Sequence, residues 1–313
     1  MELVSILIPA YKPGHFRECL TSALAQTWRE KEIIVSDDCP TDAIKTICDE
    51  YGAHVRYVRN PAPGPLGHNN IRHLCRIAQG VYLKFLFDDD LLHPFCVQYL
   101  VEALEAEKPR GAMLAFSSRI RIDARNHEIK RTDTAAPSHG LVPGSDLIRR
   151  MATTTLNPIG EFTTVLFRRE DIFDRNGDLQ IMSVEGTHWR GLSDVALYIH
   201  LCSKGCAVAI PDVLSYFRVH GESISHPSAN PEWFYVVADW KLVLDYAIRR
   251  RILTEEDIAA GYGNLIQLLT DQQGFVPSLR HAFGEVLASV RRDVEAADLK
   301  PRSRRRLLSR LPG

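Results

Sequence analysis

The sequence predicts an α/β protein, with a mostly parallel central sheet flanked by helices and a C-terminal helical appendage. Three observations carry this. Apolar runs of strand length alternate with helical periodicity roughly every 25 residues through the first hundred positions. Two of the strand-like runs end abruptly in carboxylates, at Asp37-Asp38 and at Asp88-Asp89-Asp90. From Pro231 onward the pattern turns purely helical, through Phe234, Val237, Ala238, Leu242 and Ile248 and later Phe283, Val286, Leu287 and Val290.

Taken in order, Leu3 to Ile8 reads as a buried strand stopped by Pro9, followed by helical periodicity at Phe16, Leu20, Ala23 and Leu24. Glu32 to Ser36 is a second strand. Thr41 or Asp42 is placed to cap a helix through Ile44, Ile47 and Cys48 that closes at Gly52. His54 to Val58 is a third strand, and a Pro/Gly-rich loop over 60–67 leads to a helix through Ile71, Leu74, Cys75 and Ala78. Val81 to Phe87, apolar and aromatic, is the strand that runs into three consecutive carboxylates. Pro94 then opens a helix with Cys96, Tyr99, Leu100, Ala103 and Leu104 on one face. In a doubly wound sheet the carboxyl ends of such strands face one crevice, so Asp37, Asp38, Asp88 and Asp89 are expected to converge there.

Adjacent carboxylates repel one another, and a hard divalent cation relieves the repulsion; all-oxygen ligands favour Mg²⁺ or Mn²⁺ over zinc. The competing use of such a run is a solvated acidic turn at a helix N-terminus.

Composition narrows the class. Hydrophobic residues make up 45% of the 313 positions and charged residues 25%, enough apolar mass for a core. The seven cysteines are scattered without C-x-x-C spacing, which disfavours a disulfide framework or a zinc site and fits a reducing cytoplasm. No basic segment precedes the first strand, so a signal peptide is not expected, and no apolar run approaches the ~20 residues that span a bilayer. The net charge is −1, yet six basic residues and no acid lie between Lys300 and Arg310, leaving −7 on the remainder. Nucleic-acid binding by the main body is therefore not suggested. The basic tail reads as a frayed, flexible terminus, or as a peripheral contact with anionic lipid to which Leu307, Leu308 and Leu311 lend a weak apolar face. No G-x-G-x-x-G follows the first strand and no Walker A loop is present, which disfavours a dinucleotide-binding domain or a P-loop NTPase.

The ordered set Val-Ser-Ile-Leu-Ile-Pro-Ala-Tyr (4–11), Ser-Asp-Asp-Cys-Pro-Thr-Asp (36–42) and Leu-Phe-Asp-Asp-Asp-Leu-Leu-His-Pro (86–94) resembles the nucleotide-binding half of glycosyltransferase family 2. Three further segments extend the resemblance to about residue 225. Asn157 to Glu161 before Thr164 to Arg168 is similar to an acceptor-side strand, Leu192-Ser193-Asp194 to a catalytic acidic segment that is usually Glu-Asp, and Tyr216-Phe217-Arg218-Val219-His220 to a closing Tyr-Arg-x-His segment. The resemblance implies the GT-A fold, divided as 1–228 (1–110 nucleotide-binding, 111–228 acceptor), a helical region over 229–299 and the basic tail over 300–313.

It also implies roles. Pro9, Ala10 and Tyr11 would line the nucleobase slot, and Asp38, with Asp37, would meet the base. Asn70 and Arg72 would contact the donor. Asp88 would hold the ribose or approach the metal, and Asp89 would bind Mn²⁺ or Mg²⁺ with His220, Asp90 being an alternative ligand. The family often shows Asp-x-Asp-Asp here, and this chain has Phe87 where the first of those carboxylates falls. Asp194 would be the general base, a role compatible with a place in the first turn of a helix. Gly160, Glu161, Trp189 and Arg218 would line the acceptor and sugar pocket, Trp189 on a glycine-punctuated lid over 181–191; Arg218 would pair with a phosphate or support Asp89.

The implied activity is inverting, metal-dependent transfer of a sugar from a nucleoside diphosphate, UDP or dTDP, to an acceptor hydroxyl on a lipid-linked glycan, a polysaccharide precursor or a small molecule. The helical region would pack on the acceptor side or form a homo-oligomer contact. Two other readings compete: a sugar-1-phosphate nucleotidyltransferase, although Pro9 to Gly14 does not match its Gly-rich loop, and a non-catalytic sugar-nucleotide binder.

Overall fold

A computed structural model of the chain describes residues 1–132, 139–220, 230 and 232–311. In chain order the elements begin with β1 (Val4–Ala10), α1 (Phe16–Leu24), β2 (Lys31–Asp37), α2 (Ala43–Asp49), β3 (Arg56–Arg59), α3 (His68–Ile77), β4 (Tyr82–Phe85), β5 (Leu91–Leu92) and α4 (Cys96–Ala106). They continue with β6 (Ala112–Ile122), β7 (Glu128–Thr132), β8 (Gly140–Pro143), α5 (Gly144–Thr154), β9 (Val165–Arg168), β10 (Ser183–Val184), β11 (Thr187–His188) and α6 (Ser193–Cys202). The last are β12 (Cys206–Arg218), α7 (Trp233–Arg249), α8 (Glu255–Phe275), α9 (Arg280–Ala296) and α10 (Pro301–Leu308). The chain divides into two compact units, the first formed by Met1–Pro143, Ile159–Ile181 and Lys204–Ser223, the second by Gly144–Pro158, Met182–Ser203 and Ile224–Gly313.

The first unit is built on one sheet in the order β3-β2-β1-β4-β9-β6-β12-β5, with β7 on β6 and β8 on β12. β1 is buried along its whole length because it runs parallel between β2 and β4 with both faces covered. Val4, Ile6 and Ile8 point into a cluster with Phe16, Leu20 and Ala23 of α1 and with Val97, Leu100 and Leu104 of α4. Successive residues face opposite sides, which leaves Ser5 and Leu7 to the other face; α3 packs across β1 and β2.

Pro9 does not stop β1, contrary to the sequence expectation. The strand continues to Ala10, paired with Asp37 of β2. Leu7 accepts from Leu86 on the β4 side and Ala10 accepts from Asp38 on the β2 side, so Pro9 turns its missing N–H toward a strand that has already ended at Phe85. No ladder bond is lost.

The parallel order expected from the sequence holds over β3-β2-β1-β4. Beyond it the sheet is mixed, with β9 antiparallel to both β4 and β6. Lys84 of β4 is fully buried there and donates Nζ to the Thr163 and Val165 carbonyls; burial pulls its pKa down. β12 is long enough to pair with β6, β8 and β5, with register breaks flanking Pro211-Asp212 that take a strand proline out of the ladder.

Among its described residues the second unit is helical apart from the short β10–β11 hairpin. α8 starts in a capping box: Thr254 Oγ1 accepts from the Asp257 N–H at 3.2 Å, and Asp257 Oδ2 accepts from the Thr254 N–H at 3.0 Å. The same Asp257 oxygen takes Arg149 Nε of α5 at 2.8 Å. Lys241 of α7 bridges Asp245 and Asp293 of α9.

Two sequence expectations are corrected in this unit. Residues 301–308 of the basic tail form α10, packed on α8 and α9, because Leu307 and Leu311 are buried and Pro301 starts the helix. The apolar face offered for lipid contact is thus turned inward. The glycine-punctuated loop is a hairpin whose Trp189 is only 2% exposed, its backbone N–H donating to Met182 O, so the indole packs as core and does not stack on a sugar. The domain boundary expected near 228–229 lies outside the described residues. No helix among the described residues is long and apolar enough to cross a membrane.

Candidate functional site

Within the first unit, the loop after β1 and the loop after β2 line a cleft of about 700 Å³ at the carboxyl ends of these strands. Residues 11–15 form one wall, 39–41 another, and Asp89 and His220 complete it. Tyr11 is 55% exposed on this wall. Pro9 and Ala10, expected beside it, are buried in β1, where their backbone is committed to the sheet.

The three consecutive carboxylates after β4 have different partners. Asp88 Oδ2 accepts from the N–H groups of Tyr11 at 2.6 Å and Lys12 at 2.7 Å, so this side chain holds the β1 loop in shape. Burial and the neighbouring Asp89 raise its pKa to about 6, against the pull of those two donors. Asp90 is buried and accepts from Thr163 Oγ1 at 2.7 Å and the Arg218 N–H at 3.0 Å; burial, then Asp89, push it up. Asp90 is therefore spent inside the unit and is withdrawn as an alternative metal ligand. Only Asp89 reaches the cleft, its Oδ2 lying 3.0 Å from His220 Nε2.

Arg218 builds this pair and does not line a pocket. Its guanidinium, fully buried, donates to Asp89 O at 2.7 Å, Asp123 O at 3.0 Å, Asn126 Oδ1 at 2.7 Å and Glu18 at 3.1 Å. The expectation of a sugar-pocket residue is corrected by that burial, whereas its support of Asp89 is direct. The segment that carries Asp89 is thereby fixed to the strand that delivers His220 two residues later.

Asp89 and His220 would be the residues to hold a divalent ion here, one through oxygen and one through nitrogen. A carboxylate oxygen and an imidazole nitrogen 3.0 Å apart match the separation of about 3 Å between neighbouring ligands of an octahedral ion at ~2.1 Å. No cluster of three or more His, Cys, Asp or Glu arranged for a metal occurs among the described residues.

On the β2 side, Asp37 is buried and accepts from the Cys39 N–H at 2.7 Å and Tyr57 Oη at 2.8 Å, with Arg59 at 3.1 Å. It shapes the loop and cannot meet a ligand. Asp38 accepts from Asn60 Nδ2 at 2.6 Å; burial pushes its pKa up, with Asn60 pulling the other way. Asn70 is buried and donates to Ser36 O, locking α3 to β2, so it is corrected from donor contact to scaffold. Arg72 lies half-buried on α3. Gly160 has φ +105°, and a Cβ there would meet Arg119 Nη1 at 2.6 Å and Thr164 at 2.9 Å. Next to it Glu161 pairs with Arg119 at 2.6 Å. Phe87, standing where an acidic residue is common, stacks on Phe162.

Asp194 belongs to the second unit. It occupies the first turn of α6, accepting from the Val195 N–H on Oδ1 at 2.8 Å and from Asn157 Nδ2 on Oδ2 at 2.9 Å. Sequence reasoning missed Lys12 and His15 on the cleft wall. The signal was the Lys-Pro-Gly-His run straight after the first strand, where a cation and a histidine fall on a loop at the carboxyl end of a sheet. The His15 ring lies 5.7 Å from that of His220, and burial followed by Arg218 holds its pKa below the usual value.

Known proteins extend the picture. An uncharacterized glycosyltransferase of Rickettsia typhi is 31% identical over 130 residues, 41% of this chain and 39% of that protein. An uncharacterized protein of Mycobacterium tuberculosis is 29% identical over 263 residues, 80% of this chain and 75% of its own length. The chain thus spans about two fifths of the length of the rickettsial relative. Among solved structures, Staphylococcus aureus TarS (residues 1–349, in complex with UDP-GlcNAc) has a TM-score of 0.62 at 14% identity, covering 93% of this chain and 81% of the other. At that identity the likeness concerns the fold, which is GT-A. The family model for glycosyl transferase family 2 matches residues 5–185, more than half the chain and including the carboxylates at and after the ends of β2 and β4, and the protein belongs to that family.

Proposed function

We propose that this protein transfers a sugar from a nucleoside diphosphate donor to an acceptor hydroxyl with inversion at the anomeric carbon. The observation that carries the reading is the Asp89–His220 pair, 3.0 Å apart on the wall of a cleft bounded by the loops after β1 and β2. When bound there, Mn²⁺ or Mg²⁺ supplies Lewis-acid stabilisation of the charge that develops on a departing diphosphate. Asp89 and His220 would hold it, with Arg218 fixing their backbone. Tyr11 offers an exposed aromatic face for a base, and Asp88 keeps the Tyr11–Lys12 turn in place.

Asp194 is the general base of this reading. In a single displacement the acceptor oxygen forms a bond to C1 while the bond from C1 to the phosphate oxygen breaks, its electron pair leaving with the nucleoside diphosphate. The hydroxyl proton passes to an Asp194 carboxylate oxygen. Asn157, donating to Asp194 Oδ2, holds the carboxylate in one orientation. UDP-sugars are the first donors to try, since the GT-A neighbour TarS was crystallised with UDP-GlcNAc.

The test is release of UDP from a panel of UDP-sugars with Mn²⁺ or Mg²⁺, with and without candidate hydroxyl acceptors, and NMR of the product anomer. Turnover that stops with EDTA and an inverted anomer are expected. A retained anomer, or full turnover in EDTA, would overturn the proposal.

A further inference from the structure

The loop that delivers Asp194 has an unusual support. α6 starts after Leu192, whose side chain has no acceptor, so the N-cap residue caps nothing, and within the first turn Asp194 takes the Val195 N–H. The acceptor comes from α7. Asp239, 5% exposed, takes the N–H of Gly191 at 2.7 Å and of Leu192 at 3.2 Å on the same oxygen, Oδ2. Leu192 in turn receives the Ala196 N–H on its carbonyl, the first helical bond of the turn in which Asp194 sits.

Two further contacts fasten the same loop to the same helix. Gly191 lies so close to α7 that a Cβ would fall 2.1 Å from the Tyr235 carbonyl carbon and the Val236 nitrogen. Arg190 donates to Tyr235 Oη at 2.9 Å and Glu232 at 2.6 Å, with its guanidinium 4.0 Å from the centre of the Tyr235 ring. A buried carboxylate is expensive to keep unless its hydrogen bonds are made, and Asp239 makes them to the backbone that enters α6.

We infer that Asp239 is a positioning residue for Asp194: by holding the Gly191–Leu192 entry to α6 from α7, it sets the direction in which the first turn presents the carboxylate. The inference rests on Asp194 being the general base. Because the Gly191 and Leu192 bonds fall on one oxygen, an asparagine with its amide oxygen in that place keeps those two, whereas alanine loses them together with the Arg190 N–H contact. Misplacing a catalytic group by about 1 Å can cost on the order of 100-fold in rate.

The experiment compares Asp239→Ala, Asp239→Asn, Gly191→Ala and Asp194→Asn in the full chain, measuring kcat and donor KM with a UDP-sugar and Mn²⁺, and amide exchange of the 190–196 segment. Asp239→Ala is expected to lower kcat at least tenfold with donor KM within twofold of the parent, and to speed exchange at Gly191 and Leu192. Asp239→Asn is expected to restore both. Should Asp239→Ala fail to fold, Gly191→Ala displaces the same loop and is expected to show the same split. Undiminished kcat in Asp239→Ala, or a loss of kcat that Asp239→Asn does not restore, overturns the inference when Asp194→Asn is inactive. Full turnover in Asp194→Asn overturns the underlying reading of the base instead.

Discussion

The acidic side chains at and after the ends of β2 and β4 differ in what their oxygens already hold. Asp37 and Asp88 are committed to backbone N–H groups of the very loops that border the cleft, and Asp90 to Thr163 and Arg218. Asp89, with a fifth of its side chain exposed, faces His220 in the cleft. Asp89→Ala is therefore expected to lower metal-dependent UDP release by on the order of 100-fold, the scale of losing one group that stabilises transition-state charge. His220→Ala should cost less, about tenfold, and raise the Mn²⁺ concentration needed for half-maximal rate; titrating Mn²⁺ at fixed donor checks both. Arg218 is a different case, since removing it leaves two carbonyls and Asn126 without their donor. Arg218→Leu is expected to destabilise the protein by roughly 3 kcal/mol in urea unfolding. At this scale the sequence was legible only in part. The carboxylates could be found, but adjacency in the chain does not tell which of three neighbours points to solvent.

Elements were read more accurately than residues, because strand and helix periods are local properties. The first four parallel strands and the helices between them appear in the expected order, with ends displaced by a few residues. Pro9 shows why ends are hard: whether a proline terminates a strand depends on whether a neighbour still needs its N–H, and β4 has left by then. The start of α8 went unread, although Thr254-Glu255-Glu256-Asp257 carries a serine/threonine-to-acid spacing close to that of a capping box. Thr254→Ala should cost about 1 kcal/mol of stability. Arg149, and then the Thr254 donors opposing a cost of burial, hold the Asp257 carboxyl below its ordinary value. A depressed pKa means that Asp257 stabilises the fold above the unfolded value of 3.8 and stops doing so as pH falls through the folded value. The penalty of Asp257→Asn, compared by urea midpoints, should accordingly be present at pH 7 and shrink below pH 4.

For the molecule as a whole, binding should register as stability. If the cleft takes UDP with a divalent ion, a ligand concentration 100 times Kd adds about 2.7 kcal/mol to unfolding, visible as a rise in Tm. The same addition to Asp89→Ala is expected to give little or no shift, and an undiminished shift would separate nucleotide binding from this pair. Read alone, the chain determined its α/β class, its family and the strands whose ends bear carboxylates, since these follow from short-range hydrophobic period and motif order. What only the tertiary structure decided is which of those carboxylates remain available. Their competing partners are backbone amides and side chains 77 or 128 positions away, as for Asp88 with Tyr11 and Asp90 with Arg218. A buried acceptor takes whatever donor folding brings to it, and that pairing is set by packing, not by spacing along the chain.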